Sequence, residues 1–208
     1  MGKRIAVALI VCGMVMATPS RSLAKGEITG VIGGLIGGDL NNVLSGNISV
    51  GGAFENGPLY GVRLGWIIPL FGLEASYVYS PSGVSLSIPN VQAGVNGKVH
   101  YLEGNALWII IPGPVAPFVT AGAGLHWYDL DVVAPNASAD AGELKKLGFN
   151  FGGGIKINIK SITIRGEVRD HLTKVGPGDF NLNSVNADVL SDSTLHNVEI
   201  SGGVGFRF

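Results

Sequence analysis

Apolar and polar residues alternate along most of this chain. Eight runs carry the pattern: 48–54, 60–68, 71–79, 102–110, 119–127, 147–159, 162–168 and 198–208. In the last run Val198, Ile200, Gly202, Val204, Phe206 and Phe208 share one parity, and Glu199, Ser201, Gly203, Gly205 and Arg207 share the other. Side chains on a strand point to opposite faces at successive residues, so each run predicts a strand with one apolar and one polar face. Most runs approach the ~9–11 residues that a tilted strand needs to cross a bilayer.

Residues 25–46 read differently. Ile28, Val31, Ile32, Leu35, Ile36, Val43 and Leu44 fall on helical spacing, and Gly26, Gly30, Gly34 and Gly38 recur every fourth residue. This predicts a Gly-striped helix that docks on the strands or pairs with a copy of itself. A flexible Gly-rich leader is the competing reading, because each Gly costs a helix about 1 kcal/mol against Ala. Residues 106–125 carry no charge, but Pro112, Pro114 and Pro117 break any helix there, so two strands joined by a Pro-Gly-Pro turn are expected.

The joints differ in length. Tight joints are expected near Pro69-Leu70, at 112–116 and at Lys160-Ser161. Long segments rich in Ser, Asn, Asp, Gly and Pro are expected at 80–98, 129–146 and 170–195, and a short one at 55–59. Short turns on one side and long loops on the other suit a transmembrane barrel. Aromatics sort accordingly: Trp66, Phe71, Trp108 and Phe208 at the turn-side ends, and Tyr60, Tyr77, Tyr79, Trp127 and Phe149 at the loop-side ends, as two interfacial girdles.

Composition sharpens the picture. Only 14% of the 208 residues are charged, 33 are Gly, and mean hydropathy is +0.38. No long clean apolar helix after residue 24 accounts for that hydropathy, whereas a barrel with a lipid-facing exterior does. At the N-terminus Lys3 and Arg4 precede an apolar stretch over 5–17, and Ser22-Leu23-Ala24 supplies small residues: a signal peptide over 1–24, removed after Ala24. Cys12, the sole cysteine, leaves with it, and the formal charge moves from −1 to −4 as Lys3, Arg4 and Arg21 are lost with no acid. Nothing here points to nucleic acid.

The closing strand, with its terminal Phe206 and Phe208, resembles that of bacterial outer-membrane barrels, whose aromatic end the assembly machinery reads. Residues 47–208 as a whole look like the eight-stranded barrel family of the OmpA/OmpX type. The resemblance implies an all-β, antiparallel, up-and-down transmembrane barrel, integral to the bacterial outer membrane, with both termini on the periplasmic side. It implies outer-membrane lipid and the barrel-assembly machinery as partners, with an extracellular ligand or host surface at the loops. It brings no catalytic residues and no cofactor. The 25–46 segment departs from the family pattern.

The polar parity collects nearly every strand charge: Arg63, Glu74, Glu103, Lys156, Arg165, Glu167, Arg169, Glu199 and Arg207. An eight-stranded lumen is just filled by side chains, so these groups must pair there. A salt-bridged plug is expected, against a narrow gated ion path. None of the four histidines, His100, His126, His171 and His196, stands two residues before a Ser as a deacylase-type barrel enzyme would suggest, and no metal-ligand spacing such as HExxH appears. Neither catalysis nor a metal is expected. Asn136-Ala137-Ser138 forms a glycosylation-type sequon that reads as ordinary loop. A scaffold acting through its loops is the leading reading. A passive channel comes second and a lipid-A-modifying enzyme third, while a soluble lipocalin-like barrel competes on fold alone.

Overall fold

Alternation at period two does dictate the architecture. The computed structural model describes residues 25–37, 51–54, 56–81, 84–88, 91–134, 137–175 and 193–208. The predicted signal peptide, positions 38–50 and Asn136 lie outside them. Ten strands follow in order: β1 (Lys25–Ile36), β2 (Gly51–Phe54), β3 (Gly57–Ile67), β4 (Phe71–Ser80), β5 (Val84–Ile88), β6 (Val91–Ile109), β7 (Val115–Ala134), β8 (Ala137–Ile159), β9 (Ile162–Val175) and β10 (Ser193–Arg207). Eight of them form a ring in the order β6-β4-β3-β1-β10-β9-β8-β7, and a β6–β7 pairing closes it. Every pairing is antiparallel. The short strands β2 and β5 stand off the ring, extending the upper part of β6.

The expected helix over 25–46 is not formed where the chain is described: Lys25–Ile36 is strand β1. A four-residue glycine repeat is also a multiple of two, so it fits a strand face as well as a helical stripe. Gly26, Gly30 and Gly34 share the outward parity with Ile28, Ile32 and Ile36, while Glu27, Thr29, Val31 and Leu35 turn inward. Pairing to β3 and β10 satisfies this backbone on both sides, which a lone Gly-rich helix cannot match. The first barrel strand is therefore β1, and residues 51–54 of the expected first strand pair instead with β5 outside the ring. Residues 57–59 of the expected short joint belong to β3.

With that change three tight turns fall at one end, while the expected long segment at 129–146 is mostly paired strand, with two residues between β7 and β8. The turns at 68–70, 110–114 and 160–161 are tight and lie at one end, with backbone bonds such as Ile68 N–H to Phe71 O at 2.8 Å. Lys160 takes a left-handed φ of 52° in its two-residue turn. The long connections lie at the other end. There β6, β7 and β8 run well past the apolar repeats; β7 and β8 stay paired up to Ala134 and Ala137.

The two faces differ in kind. Ile32 and Leu73 are 68% exposed and Val204 63%, whereas Arg63 is 1% exposed and Arg169 fully buried. A barrel with large apolar side chains outside and charges inside is inverted relative to a water-soluble one, and its exterior suits hydrocarbon. Phe71 and Trp108 stack at the turn-side edge, 6.2 Å between ring centroids. Tyr77, Tyr79, His100 and Trp127 cluster on the loop-side part of the exterior.

Candidate functional site

The lumen holds layers of paired polar side chains whose members come from all eight ring strands. Its centre is Glu167 on β9. That carboxylate pairs with Arg63 on β3, with Arg165 two residues before it, and with Arg169 two residues after it, the last at 2.9 Å. The i, i+2 spacing of Arg165, Glu167 and Arg169 is what a strand needs to place all three on one face. Glu74 on β4 accepts from Arg165 at 2.5 Å and from Arg169 at 3.2 Å. Glu199 on β10 pairs with Arg63 and accepts from Ser201 Oγ at 2.5 Å.

Toward the turns, Lys156 Nζ donates to Glu27 Oε1 at 2.7 Å, and Thr163 Oγ1 donates to Glu27 Oε2 at 3.2 Å. Phe118 lies beneath Arg165 at 4.8 Å and packs with Leu107, Ile109 and Ala116 into an apolar cluster on that side. A cavity of about 180 Å³ opens at the turn-side mouth, with Lys25 and Arg207 among its lining residues.

Toward the loops, Glu103 on β6 takes over. Its Oε1 faces His126 Nε2 at 2.9 Å and His171 Nδ1 at 2.8 Å, and its Oε2 lies 3.5 Å from Arg169 Nη1. Asn150 donates to Asn105 at 2.7 Å and Asn105 to Ser76 at 3.1 Å, bridging β8, β6 and β4. Above them Asn197 donates to the Tyr101 hydroxyl at 2.8 Å, and the Tyr128 and Thr173 hydroxyls lie 2.8 Å apart. Buried Leu35, Leu59, Val99 and Leu195 occupy the loop-side lumen.

Eight of the nine charges expected to face inward, from Arg63 to Glu199, join this structure. Arg207 does not: it reaches outward to the tight turn, donating from Nη2 to Lys160 O at 2.8 Å. The register sets Arg207 opposite Glu27 at the turn-side mouth, whose cavity both residues line. Glu27 was hidden by the helical reading of its segment. His126 carried the inward parity but no formal charge, and His171 lies beyond the last apolar residue of its run, Val168. Extending the 163-165-167-169 parity by two positions reaches His171 and then Thr173.

Phe206 faces outward, and Phe208 forms the seam itself. Its N–H and carbonyl exchange bonds with Gly26 O and N–H, both at 2.9 Å. The two ends of the described chain are thus zipped together at the turn side.

Such a molecule, with an apolar exterior, a packed ionic interior, tight turns at one end and long connections at the other, has the fold of the bacterial eight-stranded outer-membrane barrels. Solved structures agree. Neisserial surface protein A is similar at 14% identity and a TM-score of 0.53, covering 90% of this chain and 98% of that one. A major outer membrane protein of Thermus thermophilus reaches 0.54 at 14% identity, covering 89% and 99%. Ail, the attachment invasion locus protein of Yersinia pestis, reaches 0.51 at 14% identity, covering 88% and 99%. No protein-family model matches the sequence, and no curated protein matches it.

Proposed function

We propose that this chain resides in the bacterial outer membrane as a sealed scaffold and acts at the cell surface through the long segments between its strands. One observation carries the reading: layers of buried polar pairs fill the lumen between Glu27 and Asn197, with side chains contributed by every ring strand. A solute crossing the barrel has to break several of these buried pairs at once, each costing several kcal/mol. The two lumen histidines are held by Glu103 and face no solvent, which favours a non-catalytic role.

Ail, of similar fold, has been solved with the heparin analogue sucrose octasulfate, which makes a surface ligand a reasonable expectation here. The charge of this chain points to a different partner. Segment 37–56 carries Asp39 and Glu55, segment 176–192 carries Asp179, Asp188 and Asp192, and neither contains Lys or Arg. Acidic segments repel polyanions, so a cationic or neutral surface is the better match. Removal of the signal peptide after Ala24 and reading of Phe206 and Phe208 by the assembly machinery belong to the same proposal. Planar-bilayer recording from the refolded protein tests the sealed lumen: rare, very small steps are expected. Steady, large, weakly selective conductance would overturn the scaffold reading in favour of a channel.

A further inference from the structure

Three side chains from three strands converge on one point in the loop-side lumen. Glu103 Oε1 on β6, His126 Nε2 on β7 and His171 Nδ1 on β9 all lie within 4.8 Å of one another, and all three residues are buried. Their rings are fixed from behind. His171 Nε2 lies 3.2 Å from Glu199 Oε2, and His126 Nδ1 lies 2.7 Å from Thr173 Oγ1, which the Tyr128 hydroxyl holds in turn. Tyr101 stacks on His171 at 4.1 Å with an interplanar angle of 6°, and meets His126 edge-on at 4.5 Å.

Charge balance gives an independent argument. Among the described residues, the lumen carboxylates are Glu27, Glu74, Glu103, Glu167 and Glu199, and the basic side chains paired with them are Arg63, Lys156, Arg165 and Arg169. One positive charge is missing, and buried charge is costly when uncompensated. The histidine pair is where it belongs. His171 faces carboxylate oxygens with both nitrogens, so in the metal-free arrangement both carry protons and the ring is cationic.

We infer that Glu103, His126 and His171 form a binding site for one late first-row divalent cation of the zinc class, which replaces the proton at this point. Two imidazoles and a carboxylate are the three-ligand set of open zinc sites, with a fourth position left for water or a small anion. An acceptor behind each ring is the outer arrangement that fixes a ligating histidine's tautomer. The exchange balances. His171 gives up its Nδ1 proton and keeps Nε2–H toward Glu199. His126 moves its proton from Nε2 to Nδ1, where Thr173 Oγ1 accepts it. One divalent cation enters and one proton leaves, and a chloride taken from solution into the fourth position restores the charge the proton supplied. No sequence spacing announces the site, because its ligands sit on three strands joined only by barrel closure.

Cobalt(II) is the probe. The whole chain is refolded from urea into detergent with Co²⁺ present, so that a closed lumen does not bar access. Four-coordinate visible bands saturating at one Co²⁺ per barrel are expected, with about one proton released per metal and displacement by Zn²⁺. The bands should vanish in His126→Gln and in Glu103→Gln, each checked for folding by heat-modifiable mobility. They should persist in a His100→Gln/His196→Gln double variant, which removes the two histidines outside the lumen. X-ray absorption on Zn-loaded wild type, which needs no variant to fold, should show two imidazoles in the first shell. Absence of the bands in wild type, their survival in both lumen variants, or a shell without two imidazoles would overturn the site.

Discussion

At the residue scale, the lumen is a space problem solved by pairing large side chains with glycine. Gly148 on β8 faces inward where the His126 ring lies across it. A Cβ there would fall 2.2 Å from both Nδ1 and Cε1 of that ring. Gly148→Ala should therefore cost about 1–3 kcal/mol through displacement of the imidazole, read as a lowered urea midpoint in detergent or lipid. Glu167 poses the converse problem, since three arginines share it. Glu167→Ala leaves them without that carboxylate and should cost about 3–5 kcal/mol. The same variant should open more often than wild type in planar bilayers. A stability loss without any rise in opening events would mean the seal does not depend on this carboxylate.

At the scale of the strand, parity and the closing seam are the testable features. Val204 points outward from the turn-side part of β10, four residues before the terminal Phe208, so Val204→Arg should destabilise the barrel by roughly 2–4 kcal/mol in lipid. Its neighbour Gly205 faces inward beside Thr29, its register partner on β1, and a Cβ there would lie 2.4 Å from Thr29 Oγ1. Arg at 205 should act by overfilling instead, with a penalty that does not depend on bilayer thickness. Removing Phe208 deletes both backbone bonds to Gly26 and exposes unpaired groups at the seam, so outer-membrane yield should fall while export continues. Equal yield of full-length and shortened chains in membrane fractions would refute that. The ring strands from β3 onward were legible because lipid outside and charge inside make the two parities chemically opposite, whereas β5 fell inside the segment expected as a loop at 80–98. β1 was not, because glycines four apart satisfy periods of both two and roughly four. The upper parts of β6, β7 and β8 were not, because both their faces leave the hydrocarbon and the apolar alternation lapses. Arg63, Arg165 and Arg169 declared themselves by parity. Glu27, the partner of Lys156, fell inside the misread segment, and His171 stood past the point where apolar residues ceased to mark the strand.

At the scale of the whole molecule, closure converts local pairings into one cooperative object. Following the register from Glu27 through Gly65, Glu74, Asn105, Gly122, Asn150 and His171 leads to Asn197. The β1–β10 pairing, continued past Ile36, sets Asn197 against position 37. One circuit therefore climbs ten residues, from 27 to 37. This stagger tilts the strands and brings side chains distant in sequence to one level, as with Glu103, His126 and His171. It also explains why the network could be listed by parity yet not by partner: who meets whom depends on the climb, which no single run encodes.

The β7–β8 hairpin gives the molecule a mast. Trp127 belongs to the loop-side aromatic cluster, and β7 continues from there to Ala134 with β8 paired beside it. At about 3.3 Å per residue and a tilt near 40°, that stretch rises roughly 18 Å beyond the aromatic belt. Ala134 and Ala137, the last residues paired there, thus stand above the aromatic belt, and a protease site can be placed between them. A cut there separates β1–β7 from β8–β10 without severing any ring pairing. The barrel so nicked is a two-piece molecule held by its own hydrogen bonds, and its halves offer a ready split pair for reassembly inside a membrane.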